Sequence, residues 1–288
     1  MAKQSATKGP LSDGLIKVLM TVVIVAAGGW WLWSNDGGFQ EALSQYVENG
    51  DLLTLESKYT PKQIMEAHRA ELIGTQNRTY REATLKYVPY LLMEVKDTEG
   101  QKTREGILLW SMEDGEVVLN SETWETTHGL KDCIECEASK NDFKIIQALS
   151  ARPTGTASIQ ELQKDLHLDP EALVSWLDSA RKKHLIVQQG NIIQLHFENP
   201  KLLIIPQKRM KQNLVLKPAA NAKKVPKNFS KSQIVKIAKA AFGYDFSIRS
   251  EKEVFLPIYS IEVLNADGSV QVTDWNALNG QRIAPKYM

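Results

Sequence analysis

One pattern occurs twice in this chain, and that duplication constrains its fold more than any other feature. Tyr87-Val-Pro-Tyr-Leu-Leu-Met-Glu-Val95 aligns without a gap on Phe255-Leu-Pro-Ile-Tyr-Ser-Ile-Glu-Val263. Upstream, Tyr59, Gln63, Ile64 and Gly74 match Phe229, Gln233, Ile234 and Gly243. Downstream, Gly100, Trp110 and Gly115 match Gly268, Trp275 and Gly280, the offset drifting only between 165 and 170 residues. Two copies imply two similar supersecondary units, here spanning 57–125 and 228–288. Each reads as one helix followed by three strands. Ser230 is a helix cap, and Ile234, Ile237, Ala238 and Ala241 recur at helical spacing before Gly243 stops the run. Phe255, Pro257, Tyr259, Ile261 and Val263 then alternate onto one strand face. Asp267-Gly268 and Asn279-Gly280 mark turns on either side of a second strand, and Glu99-Gly100 and Asp114-Gly115 repeat this in the first copy. Trp110 and Trp275 are expected to be core residues of the sheet, given the area an indole buries.

This order of elements, with the Asp267-Gly268 turn and the ending Trp275-Asn-Ala-Leu-Asn-Gly280, resembles the PepSY type of domain. In that family the last hairpin has the form D-A-x-T-G. Here Trp275-Asn276 stands where an acidic residue is common, and Asn279 where Thr is common. The resemblance covers roughly 55 residues per copy and implies an extracytoplasmic binding or inhibitory module, with no catalytic residues to carry over.

Between the copies, 139–198 follows a different pattern. Ser139 and Asp142 form a capping box ahead of the apolar stripe Phe143, Ile146, Ala148 and Leu149. After Pro153-Thr-Gly155 come a second helix from Ser158 to Leu166 and a third capped by Asp169-Pro170, then a hairpin around Gly190-Asn191. Three helices and a hairpin resemble a winged helix-turn-helix. Such a domain invites nucleic-acid binding, but the would-be recognition helix carries Glu171, Trp176 and Asp178 early and Arg181, Lys182 and Lys183 only at its end. Early carboxylates repel phosphate, and the hairpin tip is uncharged, so nucleic acid is not the expected partner.

The N-terminal region predicts a membrane anchor. Leu15 to Trp33 is an apolar run whose helical length nearly matches a hydrocarbon core of about 30 Å. Lys17 snorkels at one end, and Trp30, Trp31 and Trp33 form an aromatic belt at the other. The rival reading is a cleaved signal peptide ending near Ala26-Ala27-Gly28-Gly29. Lys3, Lys8 and Lys17 precede or open the span, and no further Lys or Arg occurs until Lys58. The expectation is therefore a cytoplasmic tail at 1–14, a transmembrane helix at 15–33 in the inner (cell) membrane, a juxtamembrane helix or linker at 34–56, and an extracytoplasmic bulk. The fold class expected for the whole is α+β: one N-terminal transmembrane helix and two α-β-β-β repeat domains flanking a winged-helix-like domain.

Two connectors hold the remaining candidates. In 126–138 lie the chain's two cysteines, Cys133 and Cys136. An exported setting favours a local disulfide; a zinc site with His128 and a pair of idle thiols are the other readings, and thioredoxin-like chemistry lacks its usual strand and helix flanks. The second connector, 199–227, opens a stretch in which Lys201 to Lys239 holds eleven Lys or Arg and no Asp or Glu, against a net charge of +1 for the chain. Interrupting prolines make its first part a linker. Lys208, Arg209, Lys211, Lys223, Lys224 and Lys227 are candidates for an anionic partner: lipid headgroups, an acidic protein surface, or nucleic acid.

No G-x-S-x-G, H-E-x-x-H or phosphate-binding glycine loop occurs. The five histidines are dispersed; His68 and Glu71 read as solvated helix residues, and Glu94 and Glu262 as equivalent repeat positions that would approach only if the copies pair. No catalytic residue, metal or cofactor is expected. The expectation is a non-enzymatic membrane scaffold or accessory subunit for protein partners in a membrane or periplasmic complex; the PepSY resemblance implies regulation of an exported hydrolase as one version of it. The alternative is a membrane-tethered winged-helix nucleic-acid-binding regulator.

Overall fold

The computed structural model describes residues 51–74, 77–99, 102–197, 200–219 and 222–283. The expected membrane helix and its anchors Lys17, Trp30, Trp31 and Trp33 lie outside them. Among the described residues no helix is long and apolar enough to cross a membrane. These residues form a mixed α+β fold with seven helices and a seven-stranded sheet.

The two matching sequences are the two central strands, β2 (Thr79–Glu99) and β11 (Ser247–Leu264), which pair antiparallel along most of their length. Tyr87 lies opposite Pro257, Val88 opposite Leu256 and Pro89 opposite Phe255. Equivalent residues are thus exchanged about a pseudo-twofold axis at the Val88 and Leu256 pair. The copies form one sheet.

Proline inside a central strand removes a ladder donor, yet both copies place one at the axis. The N–H and C=O of a strand residue share one side. Pro89 O accepts from Met112 N at 3.0 Å, and Pro257 O from Ala277 N at 3.1 Å, on the edge facing away from the other long strand. On that edge β2 changes neighbours, from β10 (Lys223–Lys224) at Lys86 and Tyr87 to β3 (Lys102–Ser111) from Tyr90 onward. β11 changes likewise, from β1 (Asp51–Leu55) at Phe255 to β12 (Val270–Asn276) from Ile258. The missing N–H falls at the seam, so no ladder bond is lost.

The helices cross over. α1 (Pro61–Ala67), in the first copy, contributes Ile64 to a cluster with Ile261, Val263 and Trp275 of the second, joined by Leu72 of α2 (Arg69–Leu72). α7 (Lys231–Phe242), in the second copy, contributes Ile234, Ile237 and Ala238 to a cluster containing Leu91, Met93, Val95, Leu108 and Trp110 of the first. The chain ahead of each helix is clamped to the other copy's last turn. Lys58 N and Tyr59 N donate to Ala277 O at 2.9 and 3.0 Å, and Asn228 N and Phe229 N to Met112 O at 2.9 and 3.0 Å. Tyr59 lies against Gly280, and Phe229 against Gly115. Both tryptophans are fully buried, as expected of core residues.

Several boundaries differ from expectation. The first copy's helix breaks at His68, which caps α1 and precedes α2. The third strand is β4 (Val118–Asn120) in the first copy, paired with β5 (Glu125–Thr126), but only a bridge between Trp275 and Arg282 in the second. Residues 51–55, expected in a juxtamembrane helix or linker, are strand β1, because Leu53 and Leu55 share one strand face and pack into the cluster of Val254, Leu256 and Ile258 while the backbone pairs with β9 (Leu214–Pro218). The described residues of the linker 199–227 form a structural strap. It bridges Lys201 to His128 and Gln207 to Ile107, forms β9 and β10, and donates Val225 N to Tyr87 O at 2.9 Å.

The central segment has α4 (Lys140–Ser150), β6 (Thr156–Ser158), α5 (Ile159–Leu166), α6 (Pro170–Lys182), β7 (Ile186–Gln189) and β8 (Ile192–Leu195). Its three strands lie in the order β6-β8-β7. Its core residues Leu149, Leu162, Leu173, Leu177, Ile193 and Leu195 belong to the same cluster as Trp110 and α7. This segment and the sheet therefore share one apolar interior.

Candidate functional site

The CxxC connector folds as α3 (Leu130–Glu135). Its start is held by Glu116 from the first copy's last hairpin. The carboxylate accepts from Thr127 Oγ1 at 2.6 Å and from the N–H groups of Gly129, Lys131 and Leu130 at 3.0, 3.2 and 3.3 Å. A carboxylate at a helix N-terminus satisfies donors that have no intrahelical partner. Cys133 and Cys136 come at the other end, both as free thiols, Cys133 buried and Cys136 half-buried. Burial raises both thiol pKa values, and the charges of Asp132 and Asp142 push the same way, while Lys183 opposes at Cys136. A nucleophilic CxxC gains thiolate from a helix N-terminus; this one lies at a C-terminus. His128 lies on the same connector, but the described residues contain no group of three or more His, Cys, Asp or Glu that could hold a metal.

Just beyond Cys136 lies a buried polar junction. Asp142 Oδ2 accepts from Ser139 N, Ser139 Oγ and Lys183 Nζ, each at 2.7 Å. Lys183 Nζ also donates to Glu137 O at 3.1 Å, and Glu137 pairs with Lys236 of α7 at 2.6 Å. The junction ties the end of α6 to the start of α4 and the middle of α7. Sequence periodicity could show the capping box but not the cation that completes it.

The basic stretch divides in two. Lys211 and Lys201 pair with Glu122 and Glu125 of the first copy, and Lys227 pairs with Glu253 at 2.6 Å. Lys224 lies 5.4 Å from the Phe255 ring centroid. These cations fasten the strap. Lys208, Arg209, Lys217 and Lys223 form no ion pair among the described residues, and they are exposed. They do not form one patch: Lys217 is on β9 and Lys223 on β10, at opposite ends of the order β10-β2-β11-β1-β9, about 19 Å apart at roughly 4.8 Å per strand.

On α6, Glu171, Val174 and Ser175 face outward, and Asp178 pairs with Arg181 at 2.8 Å. Trp176, in the early part of the same helix, is partly buried against the core, with Lys144 Nζ 5.4 Å from its ring centroid. The His68 ring lies tilted at 44° against Trp275, with centroids 4.4 Å apart, and its Nδ1 is 3.6 Å from the Glu71 carboxylate. Glu94 and Glu262 are driven apart by the antiparallel pairing. Glu94 faces Ser250, whereas Glu262 falls opposite the stretch between Tyr80 and Ala83, roughly 40 Å along the strand.

A polar constellation that sequence reading missed lies on the sheet face. Lys86 Nζ donates to Ser260 Oγ at 2.9 Å, and Ser260 Oγ donates to Asp274 Oδ1 at 2.6 Å. The three come from neighbouring strands of both copies, so no local spacing signals them. Lys86 also pairs with Asp274 at 3.8 Å. Ser260 is buried, its proton goes to Asp274 and one lone pair accepts from Lys86, which gives the set a strand-linking role.

Comparison with known proteins finds no family model, no curated protein and no solved structure that matches this chain.

Proposed function

We propose that this chain is a non-enzymatic, single-pass membrane scaffold or accessory subunit. In this reading two α-β-β-β repeat domains of the PepSY type flank a winged-helix-like domain, and the whole presents protein-binding surfaces on the extracytoplasmic side of the inner membrane. The order α4-β6-α5-α6-β7-β8 with strands β6-β8-β7 supports the winged-helix part. The observation that carries the reading is the shared interior: reciprocal helix exchange and a common apolar cluster make the described units one platform. Such a platform suits holding partners in fixed relation. The partner class is a protein of a membrane or periplasmic complex, with an exported hydrolase as the regulated candidate.

A reporter fused at Met288, active only outside the cytoplasm, tests the location; activity restricted to the cytoplasm would overturn it. Turnover of a substrate by the purified chain would overturn the non-enzymatic part. The second reading, a membrane-tethered nucleic-acid-binding regulator, draws on the uncompensated Lys208, Arg209, Lys217 and Lys223. It predicts DNA binding that weakens steeply with salt. Glu171 at the start of α6 opposes it, because phosphate would have to approach a carboxylate there.

A further inference from the structure

Outer strands are hazards that proteins guard with charge or proline. β9 carries Lys217 and Pro218, β3 carries Arg104 and Glu105, β12 carries Asp274, and β10 is Lys223-Lys224. β7, an outer strand of the three-stranded sheet, reads Ile-Val-Gln-Gln and has neither guard. β6, on the opposite side of that sheet, is only three residues long and runs directly into α5.

The hydrogen-bond phase of β7 follows from one contact. His196 N donates to Leu185 O at 3.0 Å, so by the alternation of an antiparallel ladder Val187 and Gln189 bond inward to their partners Gln194 and Ile192. The N–H and C=O of Gln188 then point outward. Val187 and Gln189 lie exposed on one face beside exposed Ile192, which is 48% accessible.

We propose that β7 is a self-association edge: a second copy of this chain pairs with it antiparallel, with the twofold axis at Gln188. On such an axis the central residue meets its own copy, so a charge there would meet its own sign. An uncharged strand is the kind compatible with this geometry. Gln188 faces Gln188 of the other copy, and Val187 faces Gln189, extending three strands to a continuous six. An acidic partner strand would gain nothing from β7, which offers no cation, whereas β9 would offer Lys217. A four-residue edge buries much less than the roughly 1,200 Å² of a stable complex, so the pair is weak and reversible.

The test is sedimentation equilibrium of the full chain in density-matched detergent, for Gln188→Lys, Gln188→Glu and their equimolar mixture. Like charges directly opposite weaken each single variant about fivefold or more relative to the unaltered chain. The mixture restores association, because Lys then faces Glu. Near-ultraviolet circular dichroism confirms that both variants remain folded. A chain that is monomeric throughout, variants that associate as the unaltered chain does, or a mixture no better than either variant would each overturn the proposal.

Discussion

Alanine at three glycines separates backbone strain from packing at the interlock between the copies. Gly115, Gly268 and Gly280 have φ of 76°, 85° and 70°, where an L side chain costs about 1–2 kcal/mol. At Gly268 an added Cβ meets nothing within 4 Å, so strain is the whole cost. At Gly280 it meets the Tyr59 ring at 3.4 Å, an ordinary contact that leaves the cost unchanged. At Gly115 it would lie 2.9 Å from Ile134 Cδ1, 3.0 Å from Phe229 Cε2 and 3.3 Å from Lys131 Cα. The Ile134 methyl can swing away, but Phe229 is fastened through its main chain to Met112 and Lys131 belongs to the first turn of α3. Overpacking of this kind adds about 1–3 kcal/mol. Gly115→Ala is therefore expected to lose about 2–5 kcal/mol in all, and Gly280→Ala and Gly268→Ala about 1–2 kcal/mol each. Urea unfolding followed by tryptophan fluorescence, with the slope m held common, measures the three losses. Equal losses at all three sites would refute the claim that Phe229 clamps the first copy's last turn.

Three further outcomes are expected. Glu161 accepts from the Ser158 N–H and hydroxyl and pairs with Arg152, which together lower its carboxyl pKa from 4.5 to about 2; the cap of α5 thus contributes fully above pH 4.5 and is lost as pH falls through about 2. A carboxyl titration by NMR with a midpoint near 4.5 would contradict this. Because burial raises both thiols, Cys136 should alkylate slowly at neutral pH and Cys133 only on unfolding; rapid labelling of Cys133 in the native chain would show that α3 does not shield it. Lys183→Met leaves the buried Asp142 carboxylate without its cation, which should cost about 3 kcal/mol in urea unfolding, and a loss under 0.5 kcal/mol would remove the junction from the account of stability.

Local chemistry was legible wherever neighbours in sequence decide it. Ser139 with Asp142, Ser158 as a helix start, Asp169-Pro170 and Ser230 all cap helices as their spacing requires, because a cap is satisfied within four residues. The duplication was also legible, since equivalent prolines, tryptophans and glycines recur at a nearly constant offset. Among the candidates, the basic stretch was visible as composition, but its division into fastening and uncompensated cations was not. That division depends on Glu122, Glu125 and Glu253, which approach only after the strap has wrapped the sheet.

By itself, then, the sequence determined that two similar helix-and-strand units surround a helical segment, and where most of their helices and turns begin. Only the tertiary structure decided that the units pair about Val88 and Leu256 and exchange helices. An isolated copy exposes the same apolar faces whether its own helix or the other copy's covers them, so alternation and periodicity are indifferent to that choice. The choice is made by long-range bonds, Tyr59 N to Ala277 O and Phe229 N to Met112 O. Strand pairings of similarly long range, Leu53 with Leu216, Thr54 with Phe255 and Lys223 with Lys86, turn residues 51–55, 214–218 and 223–224 from expected connectors into strands, because a segment without a strong pattern of its own takes its structure from the edge it meets.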